Sequence, residues 1–435
     1  MNARVSLVKP SARPAASPFH GGLVTANAPP LHLPGEHFAA ALGFLALGTL
    51  GLAAVAPELA NGAFIAPRVV AVVHLFTLGF IATSIFGALY QFLPVAVGAP
   101  IRSLRAAHVT FVLLAAGIPT FVVALAVPLP ALVPIGGGAV AVAFALFALN
   151  FAATLAGATE RGITWWALAA SCVFLVATLA FGFSLALNVA TGFAASIRFD
   201  LLAVHVHVAL VGWVMLVMVG VGHRLVPMFM LSHGASERPA RVAVALLSAG
   251  CALLAFSHAG VLRVVAAAII GAGVVAWFAQ IASFHRHRKK RELDGGMRLA
   301  MAGVGGVACA LVMAPFAIVR GLGSPQVLTT YVFVLVVGGI TLFIAGHYFK
   351  IVPFLVWFHR YGSRVGKGTV PRVAELYSAR AVHVALALFV LGVLTTAVGI
   401  ASGITPIVRA GAIVLFAAVA IEAREMVRIA RRRPA

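Results

Sequence analysis

Apolar runs long enough to cross a bilayer recur from one end of this chain to the other, and they leave few folds open to it. A span needs about 20 mostly apolar residues. Twelve such runs fall at residues 38–56, 69–95, 107–127, 131–156, 163–188, 201–230, 241–260, 262–284, 298–319, 327–357, 379–400 and 405–422. In hydrocarbon every backbone N–H and C=O must be satisfied within the protein, so runs of this length read as helices. With 62% of its 435 residues hydrophobic and only 9% charged, the chain reads as an all-α polytopic membrane protein with about 12 transmembrane helices and the lipid bilayer as its solvent. The shortest connection is the turn at Gly260, between runs 7 and 8.

Charge placement orients the chain. Its 31 Lys and Arg against 10 Asp and Glu give a formal charge of +21, which in a soluble protein would suggest nucleic acid. Assigning alternate loops to opposite sides instead collects Arg4, Lys9, Arg13, Arg102, Arg105, Arg238, Arg241, the runs 285–298 and 359–372, and the tail 424–433 on one side. The other side receives Glu58, Arg68, Arg198, Asp200, Arg263 and Arg320. This is the positive-inside pattern. It predicts a multi-pass protein of a bacterial-type inner membrane with both termini in the cytoplasm, and basic loops that meet headgroups rather than nucleic acid. Residues 1–37 lack periodicity and are rich in Pro, Ser and Ala, so they read as a disordered cytoplasmic tail without a cleavable signal peptide. Residues 423–435 read as a basic cytoplasmic tail.

A punctuation pattern divides the apolar domain, residues 38–422. Gly79, Gly87 and Pro94 in run 2 are spaced by eight and seven residues, as are Gly212, Gly220 and Pro227 in run 6 and Gly338, Gly346 and Pro353 in run 10. A polar residue stands three before each Pro: Gln91, Arg224, Lys350. The registers lie 133 and 126 residues apart (79 to 212, 212 to 338). Glycine packing and proline termination explain each helix separately but not the shared spacing. The pattern predicts three pseudo-symmetric four-helix arcs, about 38–160, 161–297 and 298–422.

Imidazoles mark the sparsely charged side of two of these helices. In the shared register His74 and His207 are equivalent, with Phe333 in their place on run 10. An ionisable group inside a membrane must be satisfied or expelled, and ligation of a haem iron satisfies it. His74 and His207 are therefore the expected axial pair of a haem b held between spans 2 and 6. His205 lies two residues from His207, about 200° around a helix, so the two cannot chelate one metal. His205, with His258 in "FSHAG", is a candidate for copper or a second haem. Arg68 and Arg198 flank spans 2 and 6 as candidate propionate partners. The histidines nearer the basic side, His108, His223, His233, His347, His359 and His383, read as solvated or headgroup-facing. Cys172, Cys251 and Cys309 show no CxxC spacing and read as packing residues. Acidic residues are almost missing from the apolar runs, which argues against a proton channel.

Twelve spans in three arcs, a histidine on the outer part of span 2 and the dyad "HVH" at 205–207 resemble the haem-copper oxidase subunit I superfamily, including its smaller NnrS-like haem- and copper-binding relatives. In that family the span 2 histidine binds the low-spin haem, a role the resemblance gives to His74. The family's HxH dyad stands on helix 10 and is completed by a His-His pair on helix 7, whereas here it stands on span 6 with His258 alone nearby. The resemblance implies electron transfer, or binding and reduction of NO or O2, by a haem-dependent oxidoreductase fed by a quinol or cytochrome donor. Two other classes fit the same runs: a transporter with parallel repeats and a histidine proton relay, and an assembly subunit whose histidines only hydrogen-bond.

Overall fold

A computed structural model describes residues 29–257, 260–320 and 324–433. Among them twelve helices are long and apolar enough to cross a membrane: His32–Ala54, Pro67–Val97, Leu104–Ala126, Pro130–Ala156, Ile163–Thr191, Ala195–Met230, Arg238–Phe256, Val261–Arg286, Gly295–Ala317, Pro325–Arg364, Ala379–Ser402 and Thr405–Arg431. They are called spans 1 to 12. The all-α polytopic class expected from the apolar runs is what the protein has. Spans 7 and 8 are separate helices turned at Gly260, whose φ of 73° is the left-handed conformation glycine tolerates.

Both ends differ from expectation. Span 1 begins at His32, not at 38, and Leu33 and His37 in its first turns are fully buried. Pro34 fits there because the first N–H groups of a helix have no intrahelical partner to lose. Residues 1–28 of the expected tail lie outside the described residues. Span 12 runs on to Arg431. Glu422, Glu425, Met426 and Ile429 give the extension a buried stripe at helical spacing, while Arg424 and Arg428 face outward.

Spans 2, 6 and 10 form the centre. In their most apolar stretches 72%, 61% and 67% of residues are buried, against 22–50% in the other nine spans. The peripheral spans turn large side chains such as Val112, Leu149, Val173 and Val312 outward, as a lipid-facing surface requires. Two lipid-like surfaces gain little by meeting, so central packing must come from close contact. The punctuating glycines provide it. A Cβ at Gly79 or Gly87 would strike Phe44 or His37 of span 1, one at Gly212 or Gly220 would strike Phe174 or Ala167 of span 5, and one at Gly346 would strike Ala300 of span 9. Each central helix thus presses at least one register glycine on the first helix of its own unit, while Gly338 faces Val393 of span 11.

Each central helix also carries an eight-residue π-helical stretch: Leu75–Ala82, Val208–Met215 and Val334–Thr341. Their starts are separated by 133 and 126 residues (75 to 208, 208 to 334), the same intervals as the glycine registers. In each, the first register glycine is the fifth residue. The residue just before each stretch is His74, His207 or Phe333. π-Helical turns are rare, cluster at functional sites, and change which side chains face a neighbour on either side of them.

Two of the arginines on the sparsely charged face are paired: Arg68 with Glu58 at 2.5 Å, and Arg263 with Asp200 at 2.8 Å.

Spans 9 and 10 make the tightest approach. A Cβ at Gly306 would lie 2.2 Å from the Gly338 carbonyl oxygen, while one at Gly305 meets nothing within 4 Å. Gly306→Ala is expected to lose folded, monodisperse protein on size exclusion. The neighbouring Gly305→Ala should keep or raise thermal stability, by about 0.5–1 kcal/mol from helix propensity.

Candidate functional site

Span 2 reaches His74 as an ordinary α-helix, so its ring can turn back on the preceding turn. His74 Nδ1 lies 2.8 Å from the Val70 carbonyl oxygen, the geometry of an Nδ1–H donor. That leaves the Nε2 lone pair pointing away from the helix, the arrangement of a metal-ligating imidazole. The ring stands edge-on to Phe121 of span 3, with centroids 5.1 Å apart.

His205 reaches the same region from span 6. Its ring lies on Gly182 of span 5, where an added Cβ would come within 2.9 Å of Cε1. It is near enough to His74 for the two imidazoles to interact electrostatically. Its Nδ1 is buried with no hydrogen-bond partner among the described residues, while the ring also approaches the Thr178 carbonyl of span 5. A small apolar cluster of Ala71, Phe121, Ala124, Leu125, Val133 and Ala186, detached from the main core, adjoins the pair. The outer part of span 2 packs on spans 1 and 3, and that of span 6 on spans 5 and 7. Lower down the two meet, where Trp213 lies 6.0 Å from Phe86. The pair therefore sits where the two central helices diverge.

His205 interacts electrostatically with His74, whereas the ring of His207, the expected partner, is tied to its own helix. His207 Nδ1 is held 2.8 Å from the Ala203 carbonyl oxygen, and its own carbonyl accepts from Cys251 Sγ of span 7 at 3.8 Å. Its side chain leaves the helix about 200° from that of His205, so only one of the two can face span 2. The shared register identifies equivalent positions along the chain, but equivalent positions in a threefold arrangement point around a ring rather than at one another. His258 lies outside the described residues. Arg68 is occupied by Glu58, and Arg198 stacks over the Phe199 ring at 4.6 Å, which leaves Arg198 as the freer cation near the pair. Among the described residues no group of three or more His, Cys, Asp or Glu is placed to hold a metal ion.

The basic-side half holds polar residues the sequence reading passed over. A cavity of about 70 Å³ lies between spans 1, 2, 6 and 10, lined among others by Phe38, Met218, His347, Tyr348 and Ser84. Tyr348 and Ser84 hydroxyls are 2.7 Å apart. Against the expectation of spans nearly free of acid, Glu422 and Glu425 are buried within span 12, and both Glu422 oxygens lack a partner among the described residues. The signal for them was the helical spacing that carries the apolar stripe past residue 422. His347 is buried rather than solvated, whereas His223 keeps a contact with Glu237 at 3.5 Å.

Neither a scan of protein-family models nor a search of curated proteins finds a match for the chain.

Asp294, in the turn before span 9, ties this half together. Its carboxylate holds Lys350 at 2.6 Å and Lys290 at 2.7 Å and accepts from the Met297 N–H at 3.1 Å. Burial pushes the carboxyl upward, but the two ammonium groups and the backbone donor outweigh it and hold it near 2, below its ordinary 3.8. A carboxyl depressed on folding stabilises above its unfolded value and loses that contribution as pH falls towards its folded value. Asp294→Asn should lower stability near neutral pH by on the order of 1–2 kcal/mol. The gap between variant and wild type should narrow below about pH 4 in thermal unfolding.

Proposed function

We propose that the protein holds a haem b between spans 2 and 6, with His74 and His205 as the axial pair, and acts in electron transfer or in binding a diatomic gas. The observation that carries this reading is a pair of interacting imidazoles beside an apolar cluster, with no third His, Cys, Asp or Glu grouped with them among the described residues. A bare zinc or copper ion asks for three or four protein ligands in such a place, because water is scarce there. An iron porphyrin brings four nitrogens of its own and asks the protein for one or two.

His74 suits the role because Val70 fixes its tautomer with Nε2 free, and His205 because its buried Nδ1 wants a partner. Gly182 gives the His205 ring room, and the apolar cluster from Ala71 to Ala186 excludes water from the cleft. Arg198 is placed for a propionate. The iron would supply the redox change or the gas ligand, and a quinol or cytochrome would supply electrons. The basic loops support an orientation with both termini in the cytoplasm of a bacterial-type inner membrane. In this reading copper is not part of the His74–His205 site.

A reduced-minus-oxidised spectrum of the purified protein tests the proposal. Wild type and His207→Ala should show a haem α-band, and His74→Ala and His205→Ala should lose it. A well-folded wild type without colour, or a band indifferent to both substitutions, overturns it. The central cavity and Glu422, unpartnered among the described residues, favour a second reading, proton-coupled transport. That reading expects a colourless protein whose substrate uptake into vesicles is driven by a proton gradient and abolished by Glu422→Gln.

A further inference from the structure

At the basic end of the bundle, three side chains unused by the haem reading meet between spans 1 and 3. His32 and Glu36 stand one turn apart on span 1, and His108 is in the second turn of span 3. The Nε2 atoms of His32 and His108 are 3.3 Å apart, and the ring planes differ by only 8° with centroids 5.2 Å apart. The opposite nitrogen of His108, Nδ1, is 2.9 Å from Glu36 Oε1. His37 also approaches that carboxylate, at 3.9 Å, but its Nδ1 is bound to the Leu33 carbonyl oxygen at 2.8 Å.

Glu36 stands beside His108 where a carboxylate commonly stands beside a ligating histidine, 2.9 Å from Nδ1 though outside hydrogen-bond geometry. Its negative charge beside Nδ1 favours the proton on that nitrogen, which leaves Nε2 as the electron-pair donor. A tetrahedral ion with metal–nitrogen bonds of about 2.0–2.1 Å has ligands about 3.3–3.4 Å apart along each edge. The separation of the two Nε2 atoms matches that edge. Without an ion, one Nε2–H donates to the other across the same gap.

We propose that His32 and His108 form a binding site for a divalent transition-metal ion of the zinc, nickel and copper class, oriented by Glu36 and bridging spans 1 and 3. Two protein ligands suffice here, unlike at His74 and His205, because this end is wet. His32 is exposed and the His108 side chain is 41% exposed, so water completes the coordination. An ion held across two spans also stabilises the fold by mass action, since the unfolded chain offers no preformed pair.

The test is a zinc titration of the full-length protein in detergent, in competition with a chromophoric chelator. Wild type should bind one equivalent that His32→Asn and His108→Ala lose, and zinc should raise the unfolding temperature of wild type but of neither variant. Glu36→Gln should weaken the site about 10–100-fold, the range for loss of an orienting carboxylate. His285→Ala should retain the equivalent, which separates this site from the basic loop, and His74→Ala should retain it, which makes the outcome independent of haem. Because His32 is exposed, its variant reports on binding even where His108→Ala fails to fold. A wild type with no saturable equivalent, or a His32 variant that binds zinc as wild type does, overturns the proposal.

Discussion

Close approach between helix backbones is the contact on which this structure rests. A bilayer removes the force that drives helices together in water, because lipid tails are as apolar as the side chains they would replace. What remains is van der Waals contact, which is strong only where atoms come near. Glycines on spans 2, 6 and 10 bring those helices against spans 1, 5 and 9. Each central helix then becomes the most enclosed member of its unit, and the bundle acquires an interior where polar groups can be kept from lipid.

That interior is divided. Towards the sparsely charged face spans 2 and 6 part, and two imidazoles occupy the gap. Towards the basic face the three central helices enclose a cavity edged by His347, Tyr348 and Ser84, with Glu422 buried in span 12 nearby. Both regions place costly groups where they need a partner, and the π-helical stretches separate them along each central helix. The stretches begin directly after His74 and His207. A change of helical pitch at that point lets one helix aim its outer residues at one neighbour and its inner residues at another.

Much of this was legible in the amino-acid order. Apolar run length located twelve spans, and the Gly-Gly-Pro spacing singled out the three that prove central, because close packing leaves its mark in residue size. The direction of side chains was less legible. His74 and His207 share a register, yet it is His205 that interacts electrostatically with His74, since a position along a helix says nothing about which of several surrounding helices it will face. Glu36 with His108, and Asp294 with Lys350, come together from segments 72 and 56 residues apart. Their pairing follows from how the spans assemble. The burial of Glu425 was hidden by arginines on the far side of the same helix, which made residues 423–435 look like a tail.

The paired charges on the sparsely charged face bear on biogenesis. With Arg68 set against Glu58 and Arg263 against Asp200, that surface carries few unpaired charges, while the opposite surface keeps a large excess of cations. Moving one elementary charge against a potential of 100 mV costs about 2.3 kcal/mol. The two ways of threading this chain are therefore far from equivalent in energy.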